Sequence, residues 1–181
     1  TPTIGTGGPQ VIAVVNVGVH PKGLGVNSNT HRVYVGLFDS SQVAVVDGSG
    51  NTLLTTVNTG GSHSNGVAVD VAGNTVYVTN RDSGNVTAMN GSTYATGLLT
   101  AGSLPFGVGV NVTNGRTYVA NFGANSVSVL GSATIGGIAQ PGFVAVNANT
   151  GLAYVTSWSG GGTYVIDPGN TPLKQHQLLS E

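Results

Sequence analysis

The sequence predicts an all-β protein built from repeated, four-stranded antiparallel sheets. Three observations carry that expectation. One phrase recurs four times, at 24–36, 66–80, 107–121 and 143–157: a small residue between branched apolar ones, an Asn- or Gly-rich turn, then a strand with a tyrosine. β-branched residues dominate the apolar runs, and no segment keeps a helical period. Turn residues return at the short intervals that hairpins need.

The tyrosines Tyr34, Tyr77, Tyr118 and Tyr154 are spaced by 43, 41 and 36 residues, a period that points to solenoids or propeller blades. The first strand of each unit places Gly25, Ala68, Gly109 or Ala145 nine residues before the tyrosine, flanked by Leu24/Val26, Val67/Val69, Val108/Val110 and Val144/Val146. The turns NSNTH, VAGN, VTNG and ANTG follow, with Asn and Gly to supply positive φ. The second strands are RVYV, TVYV, RTYV and LAYV, and the third are QVAVVD, NVTAMN, SVSVLG and TYVID. The fourth are TLLTTVN, TGLLTA, a weak TIGGI and LKQHQLL. Small residues between valines suit a strand buried on both faces where sheets converge on an axis, so the first strand is placed innermost and the fourth outermost. That arrangement is a β-propeller of about four blades.

The motifs VYVTN (76–80), GVAVD before it, RTYVAN and the following SVSVL resemble the YVTN family of β-propeller repeats, over roughly 11–167. Repeat 4 departs most, with Ser157 where that family favours Asn and an SGGG insert after Trp158. The resemblance implies the propeller fold. It also implies the settings of that family: archaeal and bacterial surface layers, secreted adhesive modules and a few enzyme relatives.

Composition narrows the function classes. Five Lys or Arg against six Asp or Glu leave a net charge of −1, so neither nucleic acid nor an anionic membrane surface is an expected partner. Cysteine is absent, which excludes disulfides, thiolate catalysis and Cys-ligated metal within these 181 residues. No apolar run reaches the roughly 18 residues of a membrane span. The start, TPTIGTGGPQ, shows no signal-peptide pattern and reads as a flexible arm over 1–10, with a single propeller domain over 11–181. Its GTGG is not a phosphate cradle, because no helix follows. Low charge with abundant Asn, Thr, Ser and Gly points to an extracellular or cell-surface location.

In a propeller the loop entering the first strand and the loop leaving the second share one face. The repeat places His20, His63, Leu104 and Gln140 there, fourteen residues before each tyrosine, and Phe38, Arg81, Phe122 and Trp158 four after. Asp39 and Asp82 follow, and Asn80 and Asn121 precede the aromatic position. Histidines with carboxylates are the residue types of a divalent-metal or proton-transfer site. With matching groups in only two units, the expectation is no metal, no catalytic residue and no cofactor. Phe38, Phe122 and Trp158 are candidates for an aromatic platform that stacks on sugar rings or a peptide. Asn85-Val-Thr, Asn90-Gly-Ser and Asn111-Val-Thr match the glycosylation acceptor pattern.

Residues 11–17 and 173–179 both read as outermost strands, one more than a four-blade ring needs. An unpaired outer strand recruits a partner, so self-association through the terminal strands is expected. The functional expectation is a non-enzymatic extracellular module for structure, assembly or adhesion, with a glycan as a further ligand. The alternative is a small lyase- or lactonase-like enzyme, or a carbohydrate binder, using the His/Asp/aromatic face.

Overall fold

A computed structural model describes residues 8–167 and 169. The described chain has no helix and folds into four antiparallel sheets, each with its strands in chain order. The first sheet is β1 (Pro21–Asn27), β2 (Arg32–Leu37), β3 (Gln42–Asp47) and β4 (Thr52–Asn58). The second is β5 (Ser64–Asp70), β6 (Thr75–Asn80), β7 (Asn85–Asn90) and β8 (Thr96–Thr100). The third is β9 (Pro105–Val110), β10 (Thr117–Asn121), β11 (Ser126–Val129) and β12 (Ala133–Gly136). The fourth has three strands among the described residues, β13 (Pro141–Val146), β14 (Ala153–Ser157) and β15 (Thr163–Ile166).

The register repeats from sheet to sheet. Gly25 faces Tyr34, Ala68 faces Tyr77, Gly109 faces Tyr118 and Ala145 faces Tyr154 across the first two strands. The turn between them is set by one side chain. Oδ1 of Asn27, Asp70, Asn111 or Asn147 accepts the backbone N–H two residues on, at 2.9–3.1 Å. These Asx turns are the physical reason for an Asn or Asp at that point of every unit.

The sheets stack in sequence. β1 packs on β5, β5 on β9 and β9 on β13. Three separate cores fill the gaps. Tyr34, Val43 and Val45 meet Val76, Val78 and Met89 between the first and second sheets. Val86, Val108 and Val119 lie between the second and third, and Tyr118, Val127 and Val129 meet Ala153, Val155 and Ile166 between the third and fourth. Nearest the first strands the gap closes to backbone contact. A Cβ on Gly66 would stand 2.5 Å from the Phe106 carbonyl oxygen, and one on Gly107 2.5 Å from that of Gly142. The N-terminal halves of all four first strands line one hollow of about 560 Å³.

Among the described residues, no such packing joins the first sheet to the fourth. Leu24 is 63% exposed, whereas its equivalents Val67 and Val108 are 9% and 8% exposed. The four small residues were expected to be enclosed alike. Gly109 is buried, Gly25 and Ala68 are half-buried, and Ala145 is exposed, because among the described residues no sheet packs on the far face of the fourth. Residues 11–17, expected as an outermost strand, form none, and Val11, Ile12 and Val14 are exposed. The expected strand at 173–179 lies outside the described residues.

Two tyrosines of the repeated strand, Tyr34 and Tyr118, are fully buried. The Tyr34 hydroxyl donates to the Gly91 carbonyl at 3.3 Å. Burial pushes the pKa of both above the ordinary tyrosine value, Tyr94 adding to the rise at Tyr34, and the neighbouring Arg32 and Arg116 opposing it. Above about pH 10 the unfolded chain therefore loses protons that the folded chain keeps. Stability should be indifferent to these groups below that pH. Above it, each should lower stability by up to about 1.4 kcal/mol per pH unit, until its folded-state pKa is passed. Urea titrations from about pH 8 to 11 check this, and Tyr34→Phe with Tyr118→Phe should remove the excess alkaline slope.

Candidate functional site

The loop end of the stack is assembled by one backbone bond repeated four times. Phe38 N–H donates to the His20 carbonyl at 3.1 Å, Arg81 to His63 at 3.0 Å, Phe122 to Leu104 at 3.0 Å and Trp158 to Gln140 at 3.1 Å. The four acceptors share a left-handed backbone, with φ of 53°, 58°, 47° and 43°. That conformation costs an L-residue about 1 kcal/mol or more. The chain adopts it on entering the first strand of each sheet. Positions fourteen before and four after each tyrosine are thus brought together, as the repeat predicts.

Two clusters form on this end. In the first, the Phe38 ring lies between two imidazoles, with centroids 5.5 Å from His20 and 4.4 Å from His63. Lys22 Nζ stands 5.3 Å over the same ring, a cation–π contact. His20 Nδ1 is 3.2 Å from both carboxylate oxygens of Asp39. His63 Nδ1 lies 2.7 Å from Asp82 Oδ2 but without hydrogen-bond geometry. Arg81 donates to the other oxygen of Asp82 at 2.9 Å. Each histidine therefore has one carboxylate, and Asp82 is divided between an imidazole and a guanidinium. All these pairs are substantially exposed, so each contributes little to stability. Among the described residues no three His, Asp or Glu side chains converge, whereas a zinc centre draws on three or four ligands.

In the second cluster, Phe106, Phe122, Phe143 and Trp158 pack mostly edge to face. Trp158 is 5.3 Å from Phe106 and 5.2 Å from Phe122, and Phe143 is 5.4 Å from Phe106. Gly142 makes room for the indole N–H edge, which a Cβ there would strike. Phe143 and Trp158 remain exposed. Of the three aromatics expected to form a platform, Phe122 and Trp158 meet here, while Phe38 sits among the histidines. Phe106 and Phe143 were missed by sequence reasoning. Both lie in first strands, where the repeat directs attention to small residues; a phenylalanine in such a strand was the available signal.

Asn80 and Asn121 do not reach the surface. Both are fully buried and tie the second strand to the third. Asn80 Nδ2 donates to Asn85 Oδ1 and Thr87 Oγ1, each at 2.8 Å. Asn121 Nδ2 donates to Ser126 Oγ at 3.2 Å and Ser128 Oγ at 2.8 Å, and its Oδ1 accepts Gly102 N–H at 2.9 Å. Asn111, in one of the glycosylation triplets, is likewise buried, its amide donating to the Gly151 carbonyl at 3.0 Å, whereas Asn90 is exposed.

No known protein family matches this chain, and no curated protein matches it.

Proposed function

We propose that this chain is a non-enzymatic β-propeller module of the YVTN type, extracellular or at the cell surface, that serves as a structural subunit of a self-assembling layer, sheath or filament. The observation that carries the reading is the repeated sheet-on-sheet step. Among the described residues four sheets advance by it around one hollow, and the outward faces of the first and the fourth carry apolar surface. Leu24 and Val26 are exposed at one end, and Ala145 and Val165 at the other. Covering such surface is worth about 25 cal/mol per Å², and a partner is the way to cover it. The loop end fits the same reading. Its two histidine–carboxylate pairs flank one phenylalanine ring on an open surface, each histidine with a single carboxylate, and Asn80 and Asn121 are consumed by the scaffold.

The test is particle mass in solution. Light scattering over a range of concentrations should show multimers of the chain, with the mean mass rising as concentration rises. A particle of one chain's mass at the highest concentration reached would overturn the reading.

A further inference from the structure

We propose that copies of this chain join head to tail through one seam: the free face of the fourth sheet packs on the free face of the first sheet of the next copy, repeating the step made inside the chain. The seam rests on the reading that the chain self-assembles, and it names the surfaces that do so.

Each internal step has a polarity. The small residue of one first strand faces the flanking apolar pair of the next. A Cβ on Gly25 would meet Val69 Cγ2 at 2.9 Å and Val67 Cγ1 at 3.2 Å. One on Gly109 would meet Val144 Cγ1 at 2.8 Å and Val146 Cγ2 at 3.3 Å. The two ends of the stack are the unmatched halves of this contact. Ala145 and the paired Tyr154 and Val165 occupy the fourth sheet's outward face, where Tyr34 and Tyr118 are buried in earlier sheets. Leu24 and Val26 occupy the outward face of β1, where the equivalent Val67 is enclosed. One end offers a small residue and the other offers the branched pair that small residues receive.

The occupant is a second copy and not the chain's own other end. Among the described residues β1 packs on β5, β5 on β9 and β9 on β13, but β1 and β13 do not pack on each other in the same way. The segment before β1 points the same way. β4, β8 and β12 each precede the first strand of the next sheet by a loop of a few residues. Residues 11–17 hold the same place before β1. By that rule they belong to the outer edge of a preceding sheet that lacks its fourth strand. The fourth sheet is such a sheet among the described residues, with β15 as its last strand. Strand addition of 11–17 to β15 of the neighbouring copy satisfies backbone groups and covers Ile12 and Val14 together. A contact between two different surfaces that does not close on itself gives a chain of subunits.

The absence of cysteine makes the seam testable by cross-linking. Val26→Cys and Ala145→Cys are surface changes in the single chain, so neither endangers folding. Mixed and mildly oxidised, the two single variants should give a covalent dimer that neither gives alone, and the chain carrying both cysteines should give a ladder of multimers. Deleting residues 1–17 should lower the yield at least tenfold. A double variant that closes only on itself, with no dimer from the mixture, would show that the chain's own ends meet and would overturn the proposal. Absence of any cross-link also overturns it; light scattering then separates the cases, since multimers would leave assembly standing through another surface and monomers would remove both. A dimer yield untouched by the deletion would overturn the strand addition.

Discussion

Replacing Gly107 with valine is expected to lower stability by about 3 kcal/mol, by forcing apart the third and fourth sheets. The Cβ alone would stand 2.5 Å from the Gly142 carbonyl oxygen, 2.8 Å from Phe143 Cα and 3.1 Å from Val144 N. These are backbone atoms of β13, so no rotamer change can move them aside. The new methyl groups would deepen the overlap, and the core around Tyr118, Val127 and Val155 would open with it. The midpoint of urea unfolding should fall with little change in slope. Gly97 is the control: nothing lies within 4 Å of a Cβ there, so Gly97→Val should stay within about 0.5 kcal/mol of the parent. Equal midpoints for the two variants would mean that the sheets do not approach as closely as described.

Asn121→Leu should cost about 2–4 kcal/mol, and adding Ser128→Ala should restore at least half of the loss. The single change removes the partner of Gly102 N–H and of two buried serine hydroxyls at once. The reason to expect rescue lies in the first sheet, where Leu37 stands at the position of Asn121 and Ala44 at that of Ser128. Both are buried, and Gly18 lies over Leu37 as Gly102 lies over Asn121. The protein thus contains two solutions for one pair of positions, Asn with a hydroxyl residue and Leu with Ala, and a mixture of them is what costs. A double-mutant cycle by chemical denaturation measures the coupling; additive effects would contradict it.

Local structure was largely legible in the sequence. The small residue nine before the tyrosine faces it across the first hairpin. The Asn or Asp seven before it makes the Asx turn. The pairing of His20 with Phe38 and of His63 with Arg81 follows from spacing alone. These features depend on neighbours a few residues apart, and alternation in a strand transmits them without loss. Asn80 and Asn121 were harder to place, because a polar residue at a strand end is equally at home in solvent or bonded to the next strand. Only the hydroxyls of Thr87 and Ser128 on that neighbouring strand decide it. Phe106 and Phe143 escaped because comparing repeats highlights what they share, and these two are exceptions. How far four sheets travel around the hollow was not legible either. Curvature is the sum of small side-chain fits between sheets, and one Val-Gly-Val looks the same at a tight step as at a wide one.

The repeated step also bears on how such a chain changes in length. Each unit of about forty residues hands the next the same contact it received, as in solenoid repeats whose members touch only their neighbours. Duplicating a whole unit between the second and third sheets, or losing one, would leave Leu24 at one terminus and Ala145 at the other unaltered. The chain can therefore vary in size by whole units without re-inventing either terminus, whereas a single residue inserted within a strand would turn the rest of that strand to the wrong face.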